Sequence, residues 1–155
     1  MSWSLIAIDP GIANFAYVVM SDGAIVEWCN ERLLSSKTKY THYNLVLATR
    51  AKMNRLLQKY PNTKKVIVER QMKAKMRTIE NTILAMFGEN GVDLVSNTSR
   101  NCHFKFTKKM DYTGRKGFAE DLCKQAMRQF FGYRKIAKKD DLADCYLLLM
   151  YWLEK

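Results

Sequence analysis

Two short apolar runs, each closed by a carboxylate, constrain the fold of this chain most. Ser4-Leu5-Ile6-Ala7-Ile8 ends on Asp9, and Val66-Ile67-Val68 ends on Glu69. The first reads as a buried strand, and the second as a short central strand parallel to it. A carboxylate at such a strand end costs desolvation energy unless positive charge meets it. Asp141 and Asp144 stand three apart at the head of the closing helical segment, residues 139–153. That spacing puts both on one helix face, near an N-terminus that suits negative charge. Asp140 falls elsewhere on that helix, which favours Asp141 over it. If the fold gathers Asp9, Glu69, Asp141 and Asp144, their mutual repulsion calls for cations. Hard oxygen ligands then favour Mg²⁺ or Mn²⁺.

The rest of the pattern is that of an α/β chain. Residues 13–21 alternate loosely as a second strand, and Asp22-Gly23 is a hairpin turn into a third strand over 24–29. Helical spacing of Val46, Met53, Leu56 and Leu57 marks 43–60, stopped by Pro61-Asn62. After the strand at 64–69 come a helix over 75–87, a strand over 92–95, a polar basic stretch over 96–115, and helices over 116–131 and 139–153. The order βββαβαβαα predicts a mixed five-stranded sheet, a three-strand antiparallel meander plus two parallel strands, flanked by helices. At 155 residues the chain is expected to form a single domain.

Charge is the second constraint. There are 26 Lys+Arg against 15 Asp+Glu, a net charge of +11. Residues 64–77 carry Lys64, Lys65, Arg70, Lys73, Lys75 and Arg77 against Glu69 alone. Residues 100–116 carry Arg100, Lys105, Lys108, Lys109, Arg115 and Lys116 against Asp111. Such runs are often solvated faces, but these adjoin the acids and point to phosphate contact. Arg70, Lys73, Lys75, Arg77, Lys108, Lys109 and Arg115 are the candidates. An acidic metal pocket on a cationic surface suits hydrolysis of a nucleic-acid backbone. Tyr40, Tyr43, Tyr112 and Tyr133 have basic neighbours and could stack on bases.

Other chemistries find little footing. Cys29, Cys102, Cys123 and Cys145 form no metal-binding or disulfide spacing, and read as buried thiols in a reducing, intracellular compartment. His42 and His103 are isolated. No apolar run is long enough to span a membrane, no signal-peptide pattern opens the chain, and no glycine-rich nucleotide loop occurs, so no nucleotide cofactor is expected.

Three motifs together resemble a known family. Ile6-Ala7-Ile8-Asp9-Pro10-Gly11 before a hairpin is similar to the opening of the RuvC-like Holliday junction resolvases, of the ribonuclease H-like superfamily. Val66-Ile67-Val68-Glu69-Arg70-Gln71 resembles their second acidic motif, most closely in the poxvirus-type form. Lys138-Lys139-Asp140-Asp141-Leu142-Ala143-Asp144 resembles the closing motif. The resemblance covers nearly the whole chain. It implies a homodimeric endonuclease that resolves four-way DNA junctions by paired symmetric nicks. Asp9, Glu69, Asp141 and Asp144 would hold two Mg²⁺ ions per site, with Mn²⁺ able to substitute. The family also uses a basic residue near the pocket; Lys116 is the first choice here and Lys105 the second. Where bacterial relatives insert an aromatic side chain at the junction centre, this chain has Met72, either a wedge between bases or ordinary packing. The stripe Met76, Ile79, Ile83 and Met86 reads as core or partly as a dimer helix. The poxvirus-type motif suggests a viral protein of the host cytoplasm or virus factory. Readings also kept open are a ribonuclease H-like nuclease of other substrate and a non-catalytic junction-binding module. A sugar-kinase or actin-like ATPase would need two domains.

Overall fold

A computed structural model describes residues 3–88, 91–106, 109–132 and 135–155. Strands β1 (Ser4–Asp9), β2 (Phe15–Ser21) and β3 (Ala24–Glu31) form the antiparallel meander. Helix α1 (His42–Lys59) leads to β4 (Thr63–Glu69), then α2 (Ala74–Phe87) to β5 (Val92–Val95). Both β4 and β5 run parallel to β1, giving the sheet order β3-β2-β1-β4-β5. The expected mixed sheet is present. Beyond the expectation, the basic stretch after β5 contains a short helix, α3 (Asn97–His103), which Ser96 caps by accepting from the Ser99 N–H. Helix α4 (Tyr112–Phe131) starts four residues before the expected position, because Asp111 accepts the Gly114 N–H at 2.7 Å. Helix α5 spans Lys139–Leu153.

Strand alternation divides the core in two. Ile6, Ile8, Tyr17, Val66 and Val68 face α1 and α2, joined there by Ile79 and Ile83. Leu5, Ala7, Ala16, Val18 and Ile67 face α4 and α5. The α2 stripe is therefore core at Ile79 and Ile83, with Met76 and Met86 partly buried beside them. Small side chains at Ala7, Ala16 and Ala143 let α5 lie close to the sheet. Because side chains alternate along a strand, Asp9 and Glu69 fall on this α5 face, in phase with Ala7 and Ile67. Cys123 and Cys145 are buried as expected, whereas Cys102 is exposed and Cys29 half-buried. Those two sit at a short helix's outer face and on the outer strand, where little covers them.

On the opposite face a polar knot ties the meander to α1. Glu27 accepts from Tyr17 at 2.5 Å, and from Tyr60 and Lys59 at 2.7 and 2.8 Å. Burial pushes its carboxyl up, but these donors outweigh it and hold the pKa at about 2, below the ordinary 4.5. A depressed carboxylate stabilises the fold above its unfolded pKa and loses that stabilisation as pH falls through the folded value. Glu27→Gln is therefore expected to cost about 2 kcal/mol at neutral pH, allowing for partial exposure. In denaturant titrations the gap to the wild type should close between pH 4.5 and about 2; a gap independent of pH contradicts the assignment.

Candidate active site

Asp9 and Glu69 end neighbouring parallel strands, and Asp141 and Asp144 descend onto that edge from the first turns of α5. A cleft of about 490 Å³ opens there. Asp9, Asp141 and Asp144 line it from the sheet and α5, Arg100 and Asn101 from α3, and Tyr112, Arg115 and Lys116 from α4. Trp28 reaches up from β3 and donates its indole N–H to the Leu142 carbonyl at 2.9 Å, fixing α5 above the sheet. Asn30, also on β3, donates to Asp141 Oδ2 at 3.3 Å.

A cation already stands among the acids, and it is Arg100. Its side chain is 3% exposed. Nη1 donates to Glu69 Oε2 at 2.8 Å and to the Asp144 carbonyl at 3.3 Å. Nη2 reaches Asp144 Oδ1 at 3.1 Å and Asn97 Oδ1 at 3.2 Å, and Asn101 Oδ1 accepts from Nη2 and Nε. The sequence leads one to expect a divalent ion among the four acids; in the fold Asp9, Asp141 and Asp144 line the cleft, and Glu69, outside its lining, is held by the Arg100 guanidinium. Among the described residues no three acids form a ready metal-binding group. The reason is electrostatic: carboxylates brought together under α5 need positive charge, and a fork of N–H donors supplies it from within the chain.

One guanidinium does not balance four acids. Burial first, then Glu69 and Asp144, push the Asp9 carboxyl well above the usual carboxylate range, against the pull of Arg100. Burial also raises Glu69 and Asp144, with Arg100 opposing in both. Asp141 is raised by burial and by Asp140. A set of hard carboxylate oxygens with unbalanced negative charge fits Mg²⁺ or Mn²⁺. The donor chemistry therefore suits the metal, while Arg100 takes up an oxygen of Glu69 and one of Asp144.

The cationic candidates separate cleanly. Lys116 lies in the cleft, paired with Asp140 and 4.6 Å from the Tyr112 ring centroid. Asp140, set aside in the sequence, is thus the anchor of this lysine. Lys105 is exposed, in a left-handed turn at φ 60°, and does not line the cleft. The turn after α3 directs it outward, while Arg100, five residues earlier and within α3, faces in. Arg115 lines the cleft, and Lys109 is exposed just before α4. Lys108 and Tyr133 lie outside the described residues. Arg70, Met72 and Arg77 line a second groove with Gln71 and Glu80. Its loop is tied by the Gln71 N–H donating to buried Glu80 at 2.7 Å and the Arg70 N–H to the Val95 carbonyl at 2.8 Å. Met72 is 91% exposed, which removes core packing as its role. Lys73 precedes α2, and Lys75 covers the Tyr40 ring at 4.4 Å. Sequence reading missed Arg100 as a site residue because it stood in a run of surface cations. The available signal was Ser96, a helix cap one residue past β5 that starts α3 on the acidic edge.

No sequence-family model matches this chain, and no characterised protein sequence aligns with it significantly. Solved structures do match. The fold is similar to that of solved Holliday junction resolvases. The yeast mitochondrial Holliday junction resolvase Ydc2 superposes with a TM-score of 0.69 at 18% identity, over 96% of this chain and 78% of that one. Thermus thermophilus RuvC in complex with Holliday junction substrate gives 0.62 at 15% identity, over 97% and 95%. A further structure of that RuvC gives 0.60 at 16%, with the same coverage.

The Lys116 ammonium is held above its ordinary 10.5, first by Asp140 and then by the Tyr112 hydroxyl. In Asp140→Asn it should titrate at lower pH than in the wild type, as read by ¹⁵N NMR of the lysine amines. An unchanged titration would rule Asp140 out as its anchor.

Proposed function

We propose that this chain is a divalent-metal-dependent endonuclease that resolves four-way DNA junctions by paired nicks, acting as a homodimer within a reducing, intracellular compartment. The observation that carries the reading is the meeting of Asp9, Asp141, Asp144 and Lys116 in one cleft at the edge of a RuvC-like sheet. One of the matched structures holds a Holliday junction substrate, which supports the choice of DNA. Homodimerisation rests on the sequence resemblance.

Asp9, Glu69, Asp141 and Asp144 are the residues that would hold two Mg²⁺ or Mn²⁺ ions. When bound, such ions lower the pKa of an attacking water and neutralise the leaving oxygen. The chain's own groups do the positioning. Asn30 fixes the Asp141 carboxylate, as outer-shell partners of ligands do. Lys116, held by Asp140, presents an ammonium where a scissile phosphate would gather charge. Exposed Tyr112 and Arg115 at the rim contact a base face and a neighbouring phosphate. Arg70, Lys73, Lys75 and Arg77 track a second stretch of backbone, and Met72 stands out as an apolar wedge for the unstacked centre of a junction.

The test is incubation with a synthetic four-way junction and a matched linear duplex, with and without Mg²⁺. Paired nicks confined to the junction are expected; equal cutting of the duplex points to a nuclease of other substrate, and binding without cutting to a junction-binding module. Asp141→Asn should lower cleavage by about 100-fold or more while junction affinity is kept or improved. Lost binding with intact chemistry would contradict its role. Junction affinity should fall steeply with salt, and Arg115→Ala should reduce the log–log slope by about one; an unaltered slope removes Arg115 from the phosphate contacts.

A further inference from the structure

Arg100 is more than a neighbour of the acids. It is buried, its guanidinium faces five acceptors, and two of these are carboxylate oxygens of the cluster. An arginine cannot shed its proton in a protein, so it can yield these oxygens only by moving. Asn97 and Asn101 are neutral anchors on Arg100's own helix, so they hold the group without adding charge. Glu69 does not line the cleft, and its Oε2 is engaged by Arg100. A divalent ion that took Glu69 and Asp144 as ligands would lie within a few ångströms of the guanidinium, where like charges in a poorly solvated site repel strongly.

We infer that Arg100 is a resident counter-ion that competes with the divalent metal for Glu69 and Asp144, so that loading of the site requires the guanidinium to withdraw from both carboxylates. The metal-free fold then keeps its acidic edge together, and the side chain that stabilises it also sets how much metal is needed to start. This rests on the metal-dependent reading of the site, not on the identity of the nucleic acid.

The experiment is Mn²⁺ titration by calorimetry of the full chain without DNA, comparing the wild type with Arg100→Gln and Arg100→Lys. Arg100→Gln should bind Mn²⁺ about tenfold tighter or more, in the range of ordinary coupling between sites. It should melt at lower temperature without metal and show a larger rise in melting temperature when Mn²⁺ is added. Arg100→Lys, which keeps one charge but loses the fork, should fall between. If Arg100→Gln folds only with Mn²⁺, that dependence supports the inference and Arg100→Lys supplies the affinity comparison. Equal or weaker Mn²⁺ binding in both variants overturns it. Absence of Mn²⁺ binding in all three proteins overturns it together with the metal-dependent reading. Tighter binding in the variants with no junction cleavage by the wild type supports the inference and sinks the substrate reading alone.

Discussion

Repulsion among carboxylates brought to one edge of a sheet shapes this molecule. β1 and β4 are parallel neighbours, so the acids that end them arrive side by side, and α5 adds two more from above. Arg100 bridges the strand contribution to the helix contribution by joining Glu69 to Asp144. Burial makes that bridge strong and makes any unbalanced charge expensive. The surrounding structure is arranged to hold it: small residues let α5 approach the sheet, a capped short helix aims the guanidinium inward, and Asn97 and Asn101 occupy its remaining donors.

Much of this was legible in the sequence. Apolar runs ending on Asp9 and Glu69, and an i, i+3 pair of aspartates opening the last helix, follow directly from periodicity. Strand alternation adds which face the first two share, since Asp9 is in phase with Ala7 and Glu69 with Ile67. The polar stretch after β5 was not legible, because a short helix defined by a single serine cap carries no apolar stripe. Arg100 was therefore counted with its exposed neighbours. The same gap left only a ranking of Lys116 ahead of Lys105 as the basic residue beside the acids. Only the backbone turn after α3 and the early start of α4 separate them. Asp140 gave no signal of its role, because its partner lies 24 residues away on another helix.

The end of β4 divides labour between adjacent residues. Glu69 turns inward to the buried Arg100 guanidinium, while Arg70 lines the groove that bears Met72 and Arg77. Buried Glu80 holds the loop between them through the Gln71 N–H, and Gln71 returns its side chain amide to the Glu69 carbonyl at 3.1 Å. The acidic edge and the cationic groove are thus set on one short, well-braced turn. A nucleic-acid strand lying across this edge would meet carboxylates on one side of it and cations on the other.

Trp28 gives the cluster an optical witness. Its ring is 4% exposed and stacks on Tyr146 with centroids 5.0 Å apart, and its N–H ends on the carbonyl between Asp141 and Asp144. Trp3 lies near the Asp22 turn and Trp152 is bonded to Asp93 at the far end of α5. A displacement of the first turns of α5 alters the polarity around one buried indole far more than around the other two. Ultraviolet emission from the unlabelled chain is therefore expected to change when the acids rearrange.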